Sequence, residues 1–235
     1  MLELMKLELR KINIRTYIHS TFIIFIALLG FIYLLAYIPR VNPSDPNLEL
    51  FGTYKNIVSL FGALSMAVFC VSASVMYSRF VIEEYTGKRV ILLFTYPTSR
   101  EKMFFSKMMI VTLFTILSML LCTILIYLIF GLSETFFPLV KDTITYDVIS
   151  KAITTTMIMT GLAAGLSIIS VTIGFIRKST PAAIVSAILL CSMVTHISSG
   201  TLNSNTAAII FMAITILAAI YAVKMILKKI NGMEV

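Results

Sequence analysis

Six stretches of this chain run for the length of a membrane-crossing helix with almost no charge. They are about Tyr17–Ile38, Ile57–Ser78, Met108–Phe130, Ala152–Ile176, Ser179–Ile197 and Thr206–Ile226, and Lys224 is the one charge among them. Roughly twenty apolar residues cross the ~30 Å hydrocarbon core of a bilayer as helix. A soluble domain has about a quarter of its residues charged; here 13% are charged and 59% hydrophobic. The pattern predicts an all-α integral membrane protein, a single transmembrane domain of six helices over residues 1–235.

The basic residues orient these spans. The net charge of +8 reflects the excess of Lys and Arg that cytoplasmic loops carry, not a nucleic-acid partner. With both termini cytoplasmic, 15 of the 19 Lys and Arg residues fall on the inner side. Arg40, Lys55, Lys141 and Lys151 fall outside.

Between the spans the connections differ in kind. Met1–Ile14 places Leu2, Met5, Leu9 and Ile12 at helical spacing, which predicts an amphipathic helix in the membrane interface. Pro43–Asn47 is turn-rich, Gly131–Lys151 is polar, and Ser198–Asn205 is short. Arg177–Lys178 is a minimal basic loop, after which Ser179-Thr180-Pro181 starts a helix. Gly161-Leu-Ala-Ala-Gly165 is a close-packing motif. Cys70, Cys122 and Cys191 lie within apolar runs without metal-ligand spacing, which reads as packing.

Residues 79–107 form a charged segment between the second and third spans. Helical amphipathicity runs from Tyr85 to Phe94, and Pro97 ends it; Thr98 or Ser99 can cap a helix starting at Arg100. Glu83 and Glu84 read either as a docking element or as solvated acids paired with Arg79, Lys88 or Arg89. Lys102 and Lys107 read either as part of that element or as snorkelling to headgroups. The chain has no G-x-x-x-x-G-K-[ST] phosphate loop and no carboxylate in the middle of a span. Ser167 and His196 could be forced into the role of an intramembrane serine protease pair, but no glycine-framed serine motif surrounds Ser167 and His196 falls at a span end.

Glu83-Glu84, Gly87, Val90–Leu93, Tyr96-Pro97-Thr98-Ser99-Arg100, Lys102 and Lys107 resemble the first cytoplasmic loop of ABC-2 type exporter permeases. The topology is similar as well: a leading interfacial helix and six spans with both ends inside. The resemblance implies a type V exporter-like fold. It implies a separate cytoplasmic ABC ATPase that binds ATP and Mg, with no cofactor in this chain, and a second permease subunit, identical or not, in the same bacterial plasma membrane. It makes residues 79–107 a coupling helix, with Glu83, Glu84, Gly87, Arg89, Pro97, Arg100 and Lys102 touching the ATPase. It also places the second and fifth spans at the dimer centre, so that Ser65, Ser72, Ser74, Ser186, Ser192 and Thr195 could face a translocation path. Hydroxyls bonded back to their own helix are the simpler alternative. Compact permeases of this kind resemble bacterial exporters or immunity pumps for peptides, lantibiotics or bacitracin-like antibiotics. The long segment that eukaryotic members carry between the fifth and sixth spans is absent here. The competing expectation is a non-transporting sensor or assembly anchor whose basic loop binds a partner or anionic lipid.

Overall fold

The computed structural model describes residues 14–41, 52–85, 100–140, 142–143, 145–201 and 205–231. All regular structure among them is helical: α1 Ile14–Val41, α2 Tyr54–Tyr77, α3 Arg100–Phe136, α4 Tyr146–Ile176, α5 Thr180–Thr201 and α6 Asn205–Asn231. The predicted interfacial helix at 1–14 lies outside the described residues except for Ile14, which opens α1. Among the described residues, five helices are long and apolar enough to cross a membrane: α1, α2 with its continuation, α3, α4 and α6. In α5 the apolar stretch Thr180–Thr195 is shorter. The chain is a multi-pass membrane protein.

The helices overrun the expected spans, because polar residues do not stop a helix when no breaker is present. α3 was expected from Met108 to Phe130. It runs instead through Ser133 and Glu134 and halts at Phe136, just ahead of Pro138. Residues 146–151, expected in the connecting loop, form the first turns of α4, with Asp147 favourably placed in the first turn. α5 likewise extends to Thr201, shortening the loop expected at Ser198–Asn205. α2 continues through a π-helical turn, Ser78–Ile82.

α4 is the central helix. Its apolar stretch is 78% buried, against 22% for α1 and for α6. Small residues let neighbours approach it. A Cβ on Gly62 would stand 2.8 Å from Thr155, one on Gly161 would meet Met212 at 2.6 Å, and one on Gly174 would meet Ala183 at 2.5 Å and Ile82 at 2.7 Å. The Gly161–Gly165 motif therefore seats α6 within the subunit. α4 closes into α5 through a tight turn. Ser179 N–H donates to the Gly174 carbonyl at 3.0 Å, and Lys178 takes the left-handed position (φ 51°) that such helix ends usually give to glycine.

Two apolar clusters fill the bundle. One reaches from Tyr54 and Phe130 down to Cys70, Leu166 and Ala187. The other holds Ala73, Tyr77, Ile82, Tyr85, Phe104, Val171, Phe175 and Ala183. Between them lies a belt of hydroxyls. Ser74 Oγ and Ser170 Oγ are 2.6 Å apart, Tyr77 Oη and Thr112 Oγ1 are 2.6 Å apart, and Ser186 Oγ donates to the Ser170 carbonyl at 3.3 Å.

Candidate functional site, where the charged segment joins the bundle

The π turn carries α2 past its apolar run and positions the start of the charged segment. Glu83 N–H donates to the Ser78 carbonyl at 3.0 Å, the wider i→i+5 bond of this conformation. Val81, Ile82 and Tyr85 are buried, Glu83 is exposed, and Glu84 is half-buried. On the α1 side, Tyr17 packs on Phe80 with ring centroids 5.3 Å apart, beside the positive charge of Arg79. The base of α1 is thereby pinned to the same turn.

Glu84 forms an ion pair with Lys107. The side chain of Lys107 is 1% exposed and that of Glu84 18%. The sequence alternatives for these residues are corrected here. Lys107 does not snorkel to headgroups, and Glu84 is tied to the far end of its own segment. Two buried charges demand each other, since an unpaired one inside the bundle is strongly destabilising. The pair ties the point where the segment leaves α2 to the point where it has become α3. Neither residue's chemistry revealed this in the sequence. Among described residues, the usable signal was Lys107 set between Phe104, Met108 and Val111, all buried in one cluster.

Tyr85, next to Glu84, and Phe104, one turn before Lys107, belong to an aromatic trio. Tyr85, Phe104 and Phe175 stand edge to face, with centroids 5.7–6.3 Å apart, the arrangement their ring quadrupoles favour. Through Phe175 the knot reaches the end of α4. Lys229 of α6 donates to the Ile176 carbonyl at 3.4 Å beside it.

The other candidate residues fall as follows. Lys102 is exposed on the first turn of α3, and Arg100 opens that helix. Gly87, Arg89 and Pro97, and the amphipathic stretch to Phe94, lie outside the described residues. Ser65 and Ser74 are buried inside the subunit, with Ser65 Oγ donating to the Gly62 carbonyl and Ser74 Oγ to that of Cys70. Ser72 is half-buried. Ser186 donates back to Ala183, Ser192 to Leu189 and Thr195 to Ser192. Ser192 is exposed on α5, while Thr195 is half-buried. Ser167 Oγ donates to the Ala164 carbonyl at 2.9 Å, and the side chain of His196 lies outside the described residues. The chain thus presents an anchored charged segment at one end of an apolar helix bundle.

Comparison with known proteins gives the chain its family. The chain is 29% identical over 199 residues to "Uncharacterized protein YcbO" of Bacillus subtilis (strain 168), covering 85% of this chain and 86% of that protein. No solved structure matches it. Residues 2–193 match the family described as ABC-2 family transporter protein, and the chain belongs to that family.

Proposed function

We propose that this protein is the permease subunit of an ATP-driven exporter in a bacterial plasma membrane, carrying an amphipathic peptide, antibiotic or lipid-like cargo. Counting α5, six helices cross the bilayer, and both termini face the cytoplasm, where 15 of 19 basic residues then lie. A cytoplasmic ABC ATPase supplies ATP and Mg, and a second permease subunit completes the path. Residues 79–107 are the coupling segment, and Glu83, Glu84, Gly87, Arg89, Pro97, Arg100 and Lys102 transmit or receive the ATPase's movement. Ser72, Ser186, Ser192 and Thr195 border the path with the buried Ser65 and Ser74 behind them.

The observation that carries this reading is the Glu84–Lys107 pair. A loop that merely joined two spans would have no use for a buried lysine at one end held by a carboxylate at the other. A loop pushed from the cytoplasm needs both ends fixed to the bundle, so that force moves helices instead of bending the loop.

The test is co-purification followed by activity. The chain is expected to bring down an ABC ATPase, and Gly87→Trp is expected to lower ATP hydrolysis by the reconstituted complex without affecting membrane insertion. Failure to recover any ATPase would favour the sensor or anchor reading. Unchanged hydrolysis in Gly87→Trp would remove the coupling role.

A further inference from the structure

At the end of the bundle opposite the coupling segment, a cavity of about 560 Å³ opens between α2, α3 and α4. Tyr54 and Phe130 form its buried floor. Leu128 of α3 and Ile153 and Met157 of α4 form its mouth, each more than half exposed. In a membrane that mouth faces hydrocarbon. Water needs several polar partners to reside in a cavity, and this lining is almost wholly apolar, so an alkyl chain is what it suits.

Behind this lining, and hydrogen-bonded to it through Tyr54, lies a carboxyl group. Glu134 is 5% exposed, within the α3 span. Its Oε2 accepts hydrogen bonds from Tyr54 Oη at 2.8 Å and Leu139 N–H at 2.9 Å, with Val140 N–H at 3.5 Å. Its Oε1 is buried and has no hydrogen-bond partner among the described residues. A carboxylate oxygen left so is costly, and a charged donor would relieve it. Tyr54, Phe130 and Thr135 around Glu134 all line the cavity. Asp142, exposed nearby, adds negative charge at Tyr54. Lys55 and Lys151 are at the same end but do not line the cavity.

We propose that this cavity binds a cationic amphiphile. Its alkyl portion lies between α3 and α4, and its ammonium or guanidinium head donates to Glu134 beside Tyr54. The inference rests on the export reading only in making this a cargo site; the binding stands by itself.

The experiment uses the full chain in phosphatidylcholine nanodiscs with a diazirine-bearing long-chain primary amine and the matching alcohol, mapping labelled residues by mass spectrometry. The amine is expected to label Ile124–Leu132 and Ile149–Met157, saturably and about tenfold more than the alcohol, as one charge-assisted bond implies. Glu134→Gln should erase that preference and leave alcohol labelling unchanged. Ala152→Phe fills the cavity without touching Glu134 and should abolish labelling by both probes. Equal labelling by amine and alcohol, or labelling that survives Ala152→Phe, overturns the proposal. Saturable, Glu134-dependent labelling by a chain that protects no cell from any amphiphile supports the site and removes the export reading.

Discussion

Replacing Lys107 with Met removes one charge of the tie while keeping the length of the stem. Glu84 then loses this ion-pair partner. Breaking a buried pair from one side costs about 3–5 kcal/mol. Glu84 keeps 18% of its side chain exposed, so water recovers part of that, and about 3 kcal/mol is the figure to expect. In a chain of this size, each kcal/mol moves the melting temperature by roughly 2–4 °C, giving a fall of about 6–12 °C. Adding Glu84→Leu removes the stranded charge and should return the protein to within about 1 kcal/mol of the parent, because a buried pair replaced by apolar residues is often neutral. Glu83→Gln is the control. It changes the neighbouring, exposed acid and should cost at most about 1 kcal/mol. The assay is thermal melting of the detergent-solubilised chain, followed by fluorescence-detected size exclusion. The reasoning fails if Lys107→Met melts with the parent, if the double variant is no better than the single, or if Glu83→Gln costs as much as Glu84→Gln.

Gly174→Ala should cost about 1–3 kcal/mol, since its methyl would press on Ala183 and Ile82. Gly30→Ala, where nothing lies within 4 Å, should stabilise by about 0.5–1 kcal/mol; melting curves of the two compare them directly. Lys178→Gly should raise the melting temperature by a few degrees, because a left-handed residue with a Cβ costs about 1–2 kcal/mol. Cysteine labelling through residues 1–14 should find positions 2, 5, 9 and 12 protected and positions 6 and 11 reactive, and uniform reactivity would reduce the segment to a tail.

Apolar length alone made the helical membrane class legible, since nothing else uses such runs. Helix ends were less legible. Ser133 and Glu134 looked like loop because they are polar, yet the first true breaker after them is Pro138. That misplacement hid Glu134. Read as a loop acid it carries no meaning; read as the last turn of a span, facing Tyr54, it becomes a buried charge. The Glu84–Lys107 pair was hidden for another reason. Helical spacing relates residues three or four apart, while this contact closes over a segment whose own path the sequence does not reveal. The hydroxyls were legible as positions but not as partners: Ser74 and Ser170 meet because α2 and α4 run in parallel register, a tertiary fact.

That register sets the bundle's mechanics. The end that carries Glu84 and Lys107 is held by an ion pair and three edge-to-face rings, and the far end by a carboxyl group with three donors. The middle is held by hydroxyl pairs, and such bonds in membrane bundles average only about 0.6 kcal/mol. We predict a rocking of α4 and α5 against α2 about the belt. Ser74→Ala and Ser170→Ala should each lower stability by about 0.5–1 kcal/mol. The double variant should cost less than their sum, because both remove the same bond. If the belt is the pivot, both single variants should change transport-linked ATP hydrolysis more than they change melting. Strict additivity would mean that the hydroxyls act separately. Equal loss of stability and hydrolysis would make the belt packing and nothing more.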